Sequence, residues 1–343
     1  MSVVFVTGGA GYVGSHAVKA LAAAGYDIVV YDDLSNGHAA AVDRVAAAYP
    51  ARSITLVRGD ILDARAVEAA LRDSGARAVL HFAARLLVGE SVREPLAYYR
   101  TNVAGALTVL GAMRQTGAER FIFSSTAATF GEPERTPIDE DHPQRPVNAY
   151  GETKLAVERA LPHLERAFGI RWTALRYFNA AGADPDGLLG EDHRPEEHLI
   201  PRAFLAIQGG PPLTVFGEDY PTPDGTCLRD YVHVTDLADA HLAALRRLEA
   251  DEPSRAYNLG NGAGMSVRQV LDAAGRAAGR PVPHTVGPRR PGDPARLVAS
   301  SERASRELGW RPRFGELPMI VDTAWRWHAT WPHGYATVAA EER

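Results

Sequence analysis

The sequence predicts an α/β fold, a doubly wound parallel sheet with a smaller C-terminal α/β lobe, and three observations predict it. Short apolar runs recur at 3–6, 28–31, 54–57, 78–82 and 121–125, and a strand-like stretch at 172–177 closes the series. Stretches with helical spacing separate them, at 15–24, 66–73, 96–116 and from 150 to about 168. Strands covered on both faces read as continuous β-branched runs, and helices between them are the crossovers that parallel pairing requires. Third, a glycine-rich turn joins the first strand to the first helix. Together these place residues 1–177 in the sheet domain, with a segment near 229–262 returning to it, 178–335 mainly in the second lobe, and 336–343 in a tail.

The elements follow in order. Strand 3–6 leads into Thr7-Gly8-Gly9-Ala10-Gly11-Tyr12-Val13-Gly14. Such a turn lets backbone N–H groups approach a pyrophosphate, and the helix N-terminus adds positive potential. Glycines spaced this way also make a plain tight turn, so context decides. Strand 28–31 ends at Asp32, eighteen positions beyond Gly14. A carboxylate there accepts hydrogen bonds from an adenosine ribose and repels a 2′-phosphate, which favours NAD over NADP. After strand 54–57, Asp60 stands at the place of an adenine contact or of a helix N-cap. Strand 121–125 ends in hydroxyl residues, Ser124, Ser125 and Thr126. Thr126 is placed to hydrogen-bond a substrate oxygen or to satisfy the backbone locally. Ligands on doubly wound sheets bind at the carboxyl ends of the strands, so the loops after Val6, Tyr31, Val57, Phe82 and Ser125 converge on one crevice.

The next helix opens with Tyr150-Gly-Glu-Thr-Lys154. Residues four apart share a helix face, which brings the Lys154 ammonium to the side of Tyr150. A free tyrosine, with a pKa of about 10, is a poor base at neutral pH. A neighbouring ammonium and a positive nicotinamide ring lower that pKa and make a phenolate available as general base. The chain holds only two lysines, Lys19 and Lys154, among 37 basic residues. A lysine kept where arginine is otherwise used points to a task for a compact ammonium. After strand 172–177 the pattern becomes loop-rich, at 179–197, 209–212, 218–226 and 287–294, which marks the second lobe. The basic stretch 288–294 reads as a solvated turn or as a cationic loop aimed at a diphosphate.

Composition bounds the function classes. The 343 residues are 45% hydrophobic and 23% charged, with 32 Gly and 23 Pro, an ordinary globular balance. That length exceeds what a single core usually sustains and invites a cleft between two lobes. A net charge of -5 argues against general affinity for nucleic acid or an anionic membrane. No apolar run reaches the roughly 18–20 residues of a membrane span, and the start lacks the regions of a signal peptide, so a cytoplasmic location is expected. The single cysteine, Cys227, allows neither an internal disulfide nor a thiolate zinc cluster. The histidines at 193, 198 and 233 show no ligand spacing paired with carboxylates on a helix, so no metal is expected.

The glycine spacing, the hydroxyl-ended strand and Tyr-x-x-x-Lys together resemble the extended short-chain dehydrogenase/reductase superfamily, whose sheet is of the Rossmann type. Within it, the chain is similar to the UDP-glucose 4-epimerase family. The blocks are Asp32-Asp-Leu-Ser-Asn-Gly37, His81-Phe-Ala-Ala84, Val88-Gly-Glu-Ser91, Arg176-Tyr-Phe-Asn-Ala180, Phe216-Gly-Glu-Asp-Tyr-Pro-Thr222, Asp224-Gly-Thr226, Arg229-Asp-Tyr-Val-His233, Tyr257-Asn-Leu-Gly260 and Arg289-Arg-Pro-Gly-Asp293. The resemblance spans about 3 to 335, and the number and order of these blocks make it specific.

The resemblance implies reversible epimerisation at C4 of UDP-glucose and UDP-galactose through a 4-keto sugar, with a retained NAD. Tyr150 would take the 4-hydroxyl proton, Lys154 would tune it and bind the nicotinamide ribose, and Thr126 would share the proton. The family's cofactor positions fall on Gly8, Gly11, Tyr12, Val13, Gly14, Asp32, Asn36, Asp60, Ile61, Phe82, Ala83, Asn102, Ser124, Tyr150, Lys154 and Tyr177, with Arg85 standing near a family lysine. Its UDP-sugar positions fall on Thr126, Tyr150, Asn179, His198, Leu199, Val215, Phe216, Arg229, Arg290, Asp293 and Leu297, the arginines as diphosphate clamps. The resemblance also implies a homodimer through the helices near 96–116 and 150–168.

Departures are specific. Thr126 replaces a serine of some members and keeps the hydroxyl, while Phe130 stands where a tyrosine is common. Leu297 replaces a larger tyrosine that narrows the sugar pocket, which leaves room for UDP-GlcNAc and UDP-GalNAc. Ala127 and Ala128 follow Thr126, so the acid that a sugar-nucleotide dehydratase needs for elimination is missing there. Other UDP-sugar 4-epimerases, acting on UDP-xylose or UDP-glucuronate, share these motifs. A net NAD-dependent oxidoreductase and a non-catalytic nucleotide-binding protein are the remaining alternatives.

Overall fold

The computed structural model describes residues 2–290 and 293–336. Six strands follow in the first half: β1 (Val3–Thr7), β2 (Asp27–Asp32), β3 (Ile54–Arg58), β4 (Ala78–His81), β5 (Arg120–Thr126) and β6 (Arg171–Tyr177). In the second half come β7 (Asn179–Ala181), β8 (Leu213–Phe216), β9 (Leu228–Arg229), β10 (Tyr231–His233) and β11 (Arg255–Leu259). The main sheet has the order β11-β6-β5-β4-β1-β2-β3, parallel throughout.

The apolar runs have the expected cause. On β1, Val4 and Val6 point to one face with Val30, Leu80, Ile122 and Leu175, covered by Val18, Leu21 and Leu237. Phe5 points to the other with Val79, Phe121 and Phe123, covered by Val67, Leu71, Val109, Met113, Val157 and Leu161. Both faces are buried, and each fully buried aliphatic or aromatic side chain contributes about 1.5–3 kcal/mol. Register then fixes the site: Thr7 pairs with Tyr31 and His81, and Thr126 with Tyr177. The carboxyl ends of β1, β2, β4, β5 and β6 therefore line one edge.

Two helices differ from the pattern read in sequence. The stretch expected as one helix over 96–116 is a helix at Pro95–Tyr98, a wider π-type turn at Tyr99–Gly105 and a helix at Ala106–Thr116. The wide turn carries Gly105, where a Cβ would lie 2.5 Å from Ile61 Cδ1, so the absent side chain lets Ile61 wedge in. The helix expected over 66–73 runs Ala64–Ser74, and Asp63 caps it by accepting from the Arg65 and Ala66 amides.

The later part of the chain is built from short pairings. β7 lies parallel to β10, β8 parallel to His284–Gly287, and β9 between Met265–Ser266 and Arg296–Leu297. Its core gathers Phe204, Val215, Tyr231, Val270 and Ile320. The helix Val234–Glu249 packs on the helix Tyr12–Ala23, and β11 extends the main sheet beside β6. Later chain also packs back: Trp310 Nε1 donates to Asp236 O at 2.7 Å, and Arg44 lies 4.0 Å from the Trp331 ring centroid. Residues 337–343 of the expected tail lie outside the described residues. Among the described residues no helix is long and apolar enough to cross a membrane.

Candidate active site

The glycine turn separates packing from access. At Gly8, whose φ is +71°, a Cβ would lie 2.4 Å from Ala83 N, and at Gly14 it would lie 2.2 Å from Gly8 O. These two glycines close the helix against the sheet. At Gly11 the nearest atom to a Cβ is Gly8 O at 3.4 Å, and no side chain caps the helix that Gly11 opens. The amides of Tyr12, Val13 and Gly14 thus start a helix with an open N-terminus, the donor set a pyrophosphate takes. Tyr12 itself is turned to the later part of the chain, its hydroxyl donating to Gly182 O at 2.6 Å.

Asp32, at the end of β2, is nearly buried and accepts from Ala10 N and Leu34 N, each at 2.9 Å. Burial raises its pKa, and these two amides work against the rise. The same bond holds Leu34 at φ 62°, a left-handed conformation that no sequence signal announced. Asn36 follows on this loop. Asp60 accepts from Leu62 N at 2.9 Å in a local turn and does not cap the next helix, since that place belongs to Asp63. Ile61 is buried beside it. After β4, the amides of Phe82 and Ala83 both donate to Thr7 O. This cradle fits a dinucleotide: an uncapped helix start, a carboxylate closing β2, and backbone held close by glycines that a Cβ would disrupt.

Arg85 departs from its expected role. Its guanidinium donates to Glu90 Oε1 at 2.8 Å in a partly exposed pair. Its backbone is instead the functional part, because Asn102 accepts from Arg85 N at 2.8 Å and donates to Arg85 O at 3.0 Å and to Thr153 Oγ1 at 3.1 Å. Asn102 thus ties the loop after β4 to the Tyr150 helix, and its amide is spent on positioning.

That helix, Ala149–Phe168, is capped by Asn148, which accepts from Gly151 N. The Tyr150 hydroxyl faces the Thr126 side chain at the end of β5, near enough for the threonine hydroxyl to favour the phenolate. Lys154, almost fully buried, donates to Ser124 O at 2.8 Å, its ammonium 5.0 Å from the Phe123 ring centroid. The hydroxyls of Ser124 and Tyr177 bond each other. Hence β5, β6 and the helix bring Ser124, Thr126, Tyr150, Lys154 and Tyr177 into one group. Electrostatics differ from the sequence expectation: burial raises the Tyr150 pKa, the Thr126 hydroxyl opposes this, and the phenol is not lowered by the chain alone. Burial also lowers Lys154 to about 7, with Glu158 raising it. An ammonium committed to a backbone carbonyl in a dry site struggles to hold its own charge.

Glu158, one turn beyond Lys154, is a residue that sequence reasoning missed. It receives Arg176 Nε at 3.0 Å on both carboxylate oxygens and Nη2 at 2.6 Å, and it accepts from Ser125 Oγ. Both partners are buried, so the pair fixes the helix against β5 and β6. The signal was present in Lys154-x-x-x-Glu158, a second i, i+4 step on the same face.

A second group forms in the later part of the chain. Arg229 Nη2 pairs with Asp293 Oδ1 at 2.5 Å, and its Nη1 donates to Leu228 O and Pro294 O. Leu297 is in register with Arg229 on the adjacent strand. Arg290 lies 3.9 Å from the Phe216 ring centroid, with Val215 buried beside it on β8. Asn179 donates from its amide to Asp230 O. Leu199 opens the helix Leu199–Ile207, with His198 as its N-cap residue. His233 stands apart, buried against Thr323 and Phe314 and lowered to about 3 by burial. His193 and His198, by contrast, converge on Glu191 and Glu196 on a loop, where helical spacing gave no warning.

Comparison with known proteins agrees with this geometry. The model of the NAD dependent epimerase/dehydratase family matches residues 4–260. A UDP-glucose 4-epimerase from Halalkalibacterium halodurans is 47% identical over 335 residues, covering 97% of this chain and 98% of that protein. The crystal structure of UDP-glucose 4-epimerase from Brucella ovis in complex with NAD is 47% identical with a TM-score of 0.90, covering 95% of this chain and 98% of that one. The corresponding structure from Bifidobacterium longum, in complex with NAD+ and UDP, is 37% identical with a TM-score of 0.92, covering 97% and 100%. With its motifs in order, its sheet edge assembled and its relatives matched along nearly their whole length, the chain belongs to the NAD dependent epimerase/dehydratase family and, within it, to the UDP-glucose 4-epimerases.

Proposed function

We propose that the chain interconverts UDP-glucose and UDP-galactose at C4 with NAD held throughout the cycle. The observation that carries this reading is the meeting of Tyr150 and Thr126 at the carboxyl edge of the sheet, with Lys154 anchored behind them on Ser124 O. Thr126 and Tyr150 bind the sugar 4-hydroxyl, and Tyr150 takes its proton. When bound, NAD would supply a hydride acceptor and donor for C4, which makes the oxidation reversible without a second redox substrate. Gly8, Gly11, Gly14 and the amides after them would hold its pyrophosphate, Asp32 its adenosine ribose, and Lys154 with Tyr177 the nicotinamide side. The 4-keto sugar turns about its diphosphate, which Arg229 and Arg290 retain, and Tyr150 then returns the proton on the other face. Ala127 and Ala128 form the turn after Thr126 and offer no acid for elimination.

The site residues, two-lobe division and sugar range belong to this same proposal. Leu297 beside Arg229 leaves space at the 2-substituent, and we place UDP-GlcNAc and UDP-GalNAc among its substrates. Their turnover by the native chain and its loss in Leu297→Tyr supports this, whereas no turnover of acetylated sugars refutes it. The homodimer belongs here too, supported by exposed Val92, Leu96, Tyr99 and Leu107 on and beside the 95–116 helices, as does a cytoplasmic location.

The test is to incubate purified protein with UDP-galactose, adding no NAD, and follow the sugar protons by NMR. A UDP-glucose mixture is the expected result. Turnover only after NAD is added removes the retained cofactor, and none even then removes the substrate assignment.

A further inference from the structure

The loop between β7 and the helix Leu199–Ile207 carries four side chains that the reaction does not use as a set: Glu191, His193, Glu196 and His198. Each offers one ligand atom, and the four atoms lie within 4.8 Å of one another. His193 Nδ1 stands 3.2 Å from Glu191 Oε1 and 3.7 Å from Glu196 Oε2. His198 Nδ1 contacts the same Glu191 oxygen and lies 4.0 Å from Glu196 Oε1. The two imidazole rings meet edge to face, 5.3 Å apart. Around a tetrahedral zinc-type ion with bonds of about 2.0–2.1 Å, ligand atoms sit about 3.3 Å apart. His193 stands within about 0.4 Å of that spacing from both carboxylates, while His198 must draw back from Glu191 by about 1 Å and the widest pair close by up to about 1.5 Å.

We propose that Glu191, His193, Glu196 and His198 form a binding site for one divalent transition-metal ion of the zinc class. Three features support it besides the spacing. The two carboxylates are nearly dry and are paired by the imidazoles of His193 and His198, and a dication bound among the four would take over that neutralisation. Two nitrogens and two carboxylate oxygens are a donor set suited to zinc and poorly suited to calcium or magnesium, which take oxygen alone. The frame is also rigid. A Cβ at Gly190 would strike the Trp327 ring at 2.2 Å, Tyr335 Oη hydrogen-bonds the Gly190 backbone, and Asp192 is held by Tyr335 N at 2.9 Å. His198 alone of the four is substantially exposed, at 40% of its side chain, and gives the ion its entry path.

The site lies between the two halves of the active region. His193 packs edge-on against Tyr12 of the glycine turn, 6.0 Å between centroids, and His198 directly precedes Leu199. A bound ion therefore pins the start of the Leu199 helix to the cofactor side of the cleft.

The experiment uses the full chain, free of any histidine tag and with its NAD bound. After dialysis against a chelator, it is titrated with Co2+ and then Zn2+. The expected result is one Co2+ per chain with the intense visible absorption of a tetrahedral site, displaced by Zn2+, and a Zn2+-dependent rise in melting temperature. Outer-sphere changes already cost about 10–100-fold in metal affinity, so His193→Gln and Glu196→Gln each lose at least about a hundredfold. X-ray absorption of the Zn2+-loaded wild type reads two imidazoles and two oxygens independently of whether the variants fold. The proposal is overturned if the wild type binds neither ion, if both folded variants keep its affinity, or if the metal shell lacks the two imidazoles. The cluster is then a network of ion pairs.

Discussion

Replacing Glu158 by Gln separates the support of the catalytic helix from its chemistry. The Arg176 and Glu158 side chains are 8% and 6% exposed, and the arginine makes three contacts of 2.6–3.0 Å with the carboxylate. Glutamine keeps the shape and an acceptor, but leaves a buried guanidinium without its counter-charge. Breaking a buried pair on one side costs about 3–5 kcal/mol, a large part of a typical total of about 5–15 kcal/mol. Arg176→Met should cost a similar amount, and the double variant about 0.5–3 kcal/mol less than the two costs summed, since the second change removes the orphaned charge. Chemical denaturation of the four proteins measures this. A second readout tests positioning of Lys154. The Glu158 charge raises a pKa that burial has lowered to about 7. Without it the ammonium, which exists below that pKa, is lost at lower pH, so the alkaline fall of kcat moves toward acid. A stability loss under about 1 kcal/mol together with an unmoved pH limb would refute both parts of the reasoning.

Tyr150→Phe removes the base while keeping the ring, and kcat for UDP-galactose should fall by about 10²–10⁴, with bound NAD retained; near-native turnover would move the base elsewhere. Gly14→Ala places a methyl 2.2 Å from Gly8 O, and the forced shift should cost about 1–3 kcal/mol and deplete bound NAD, read from the cofactor released on denaturation. His81, His233 and His241 are lowered by burial to about 3, 3 and 4, so below the unfolded value of about 6.5 the unfolded chain gains protons that the native chain refuses, and stability falls with pH. By pH 5 each removes about 2 kcal/mol, while His193 and His198, raised by Glu191 and Glu196, act in the opposite sense; imidazole NMR signals of His81, His233 or His241 that titrate above pH 5 in the folded chain contradict their burial as neutral rings.

What could be read in the sequence was whatever depends on neighbours in the chain. β1, β2, β4 and β5 were legible because burial on both faces leaves little polar alternation, and Gly8, Gly14 and Asp32 were legible because a strand-turn-helix unit fixes their spacing. Tyr150 and Lys154 belong to the same class, one helical turn apart. The capping role went to Asp63 and not Asp60 because three residues of turn intervene, a distinction of local geometry finer than the pattern.

What the sequence hid depends on pairs that only the fold brings together. Arg176 and Glu158 meet from a strand and a helix, and either alone reads as an ordinary surface charge. The resemblance places Arg85 near a family lysine on the cofactor side, but Glu90, five residues on, captures its guanidinium. The pKa of Tyr150 was inferred from charge proximity, whereas its environment is set by desolvation, which depends on how β5 and β6 close over it. Glu191, His193, Glu196 and His198 escaped because ligand spacing was sought on a helix, while an irregular loop pinned by Trp327 and Tyr335 gathers donors at offsets of two, three and two. In each case the missing quantity is a distance between residues far apart in sequence or a degree of burial, and both arise only when the sheet edge and the later part of the chain are in place.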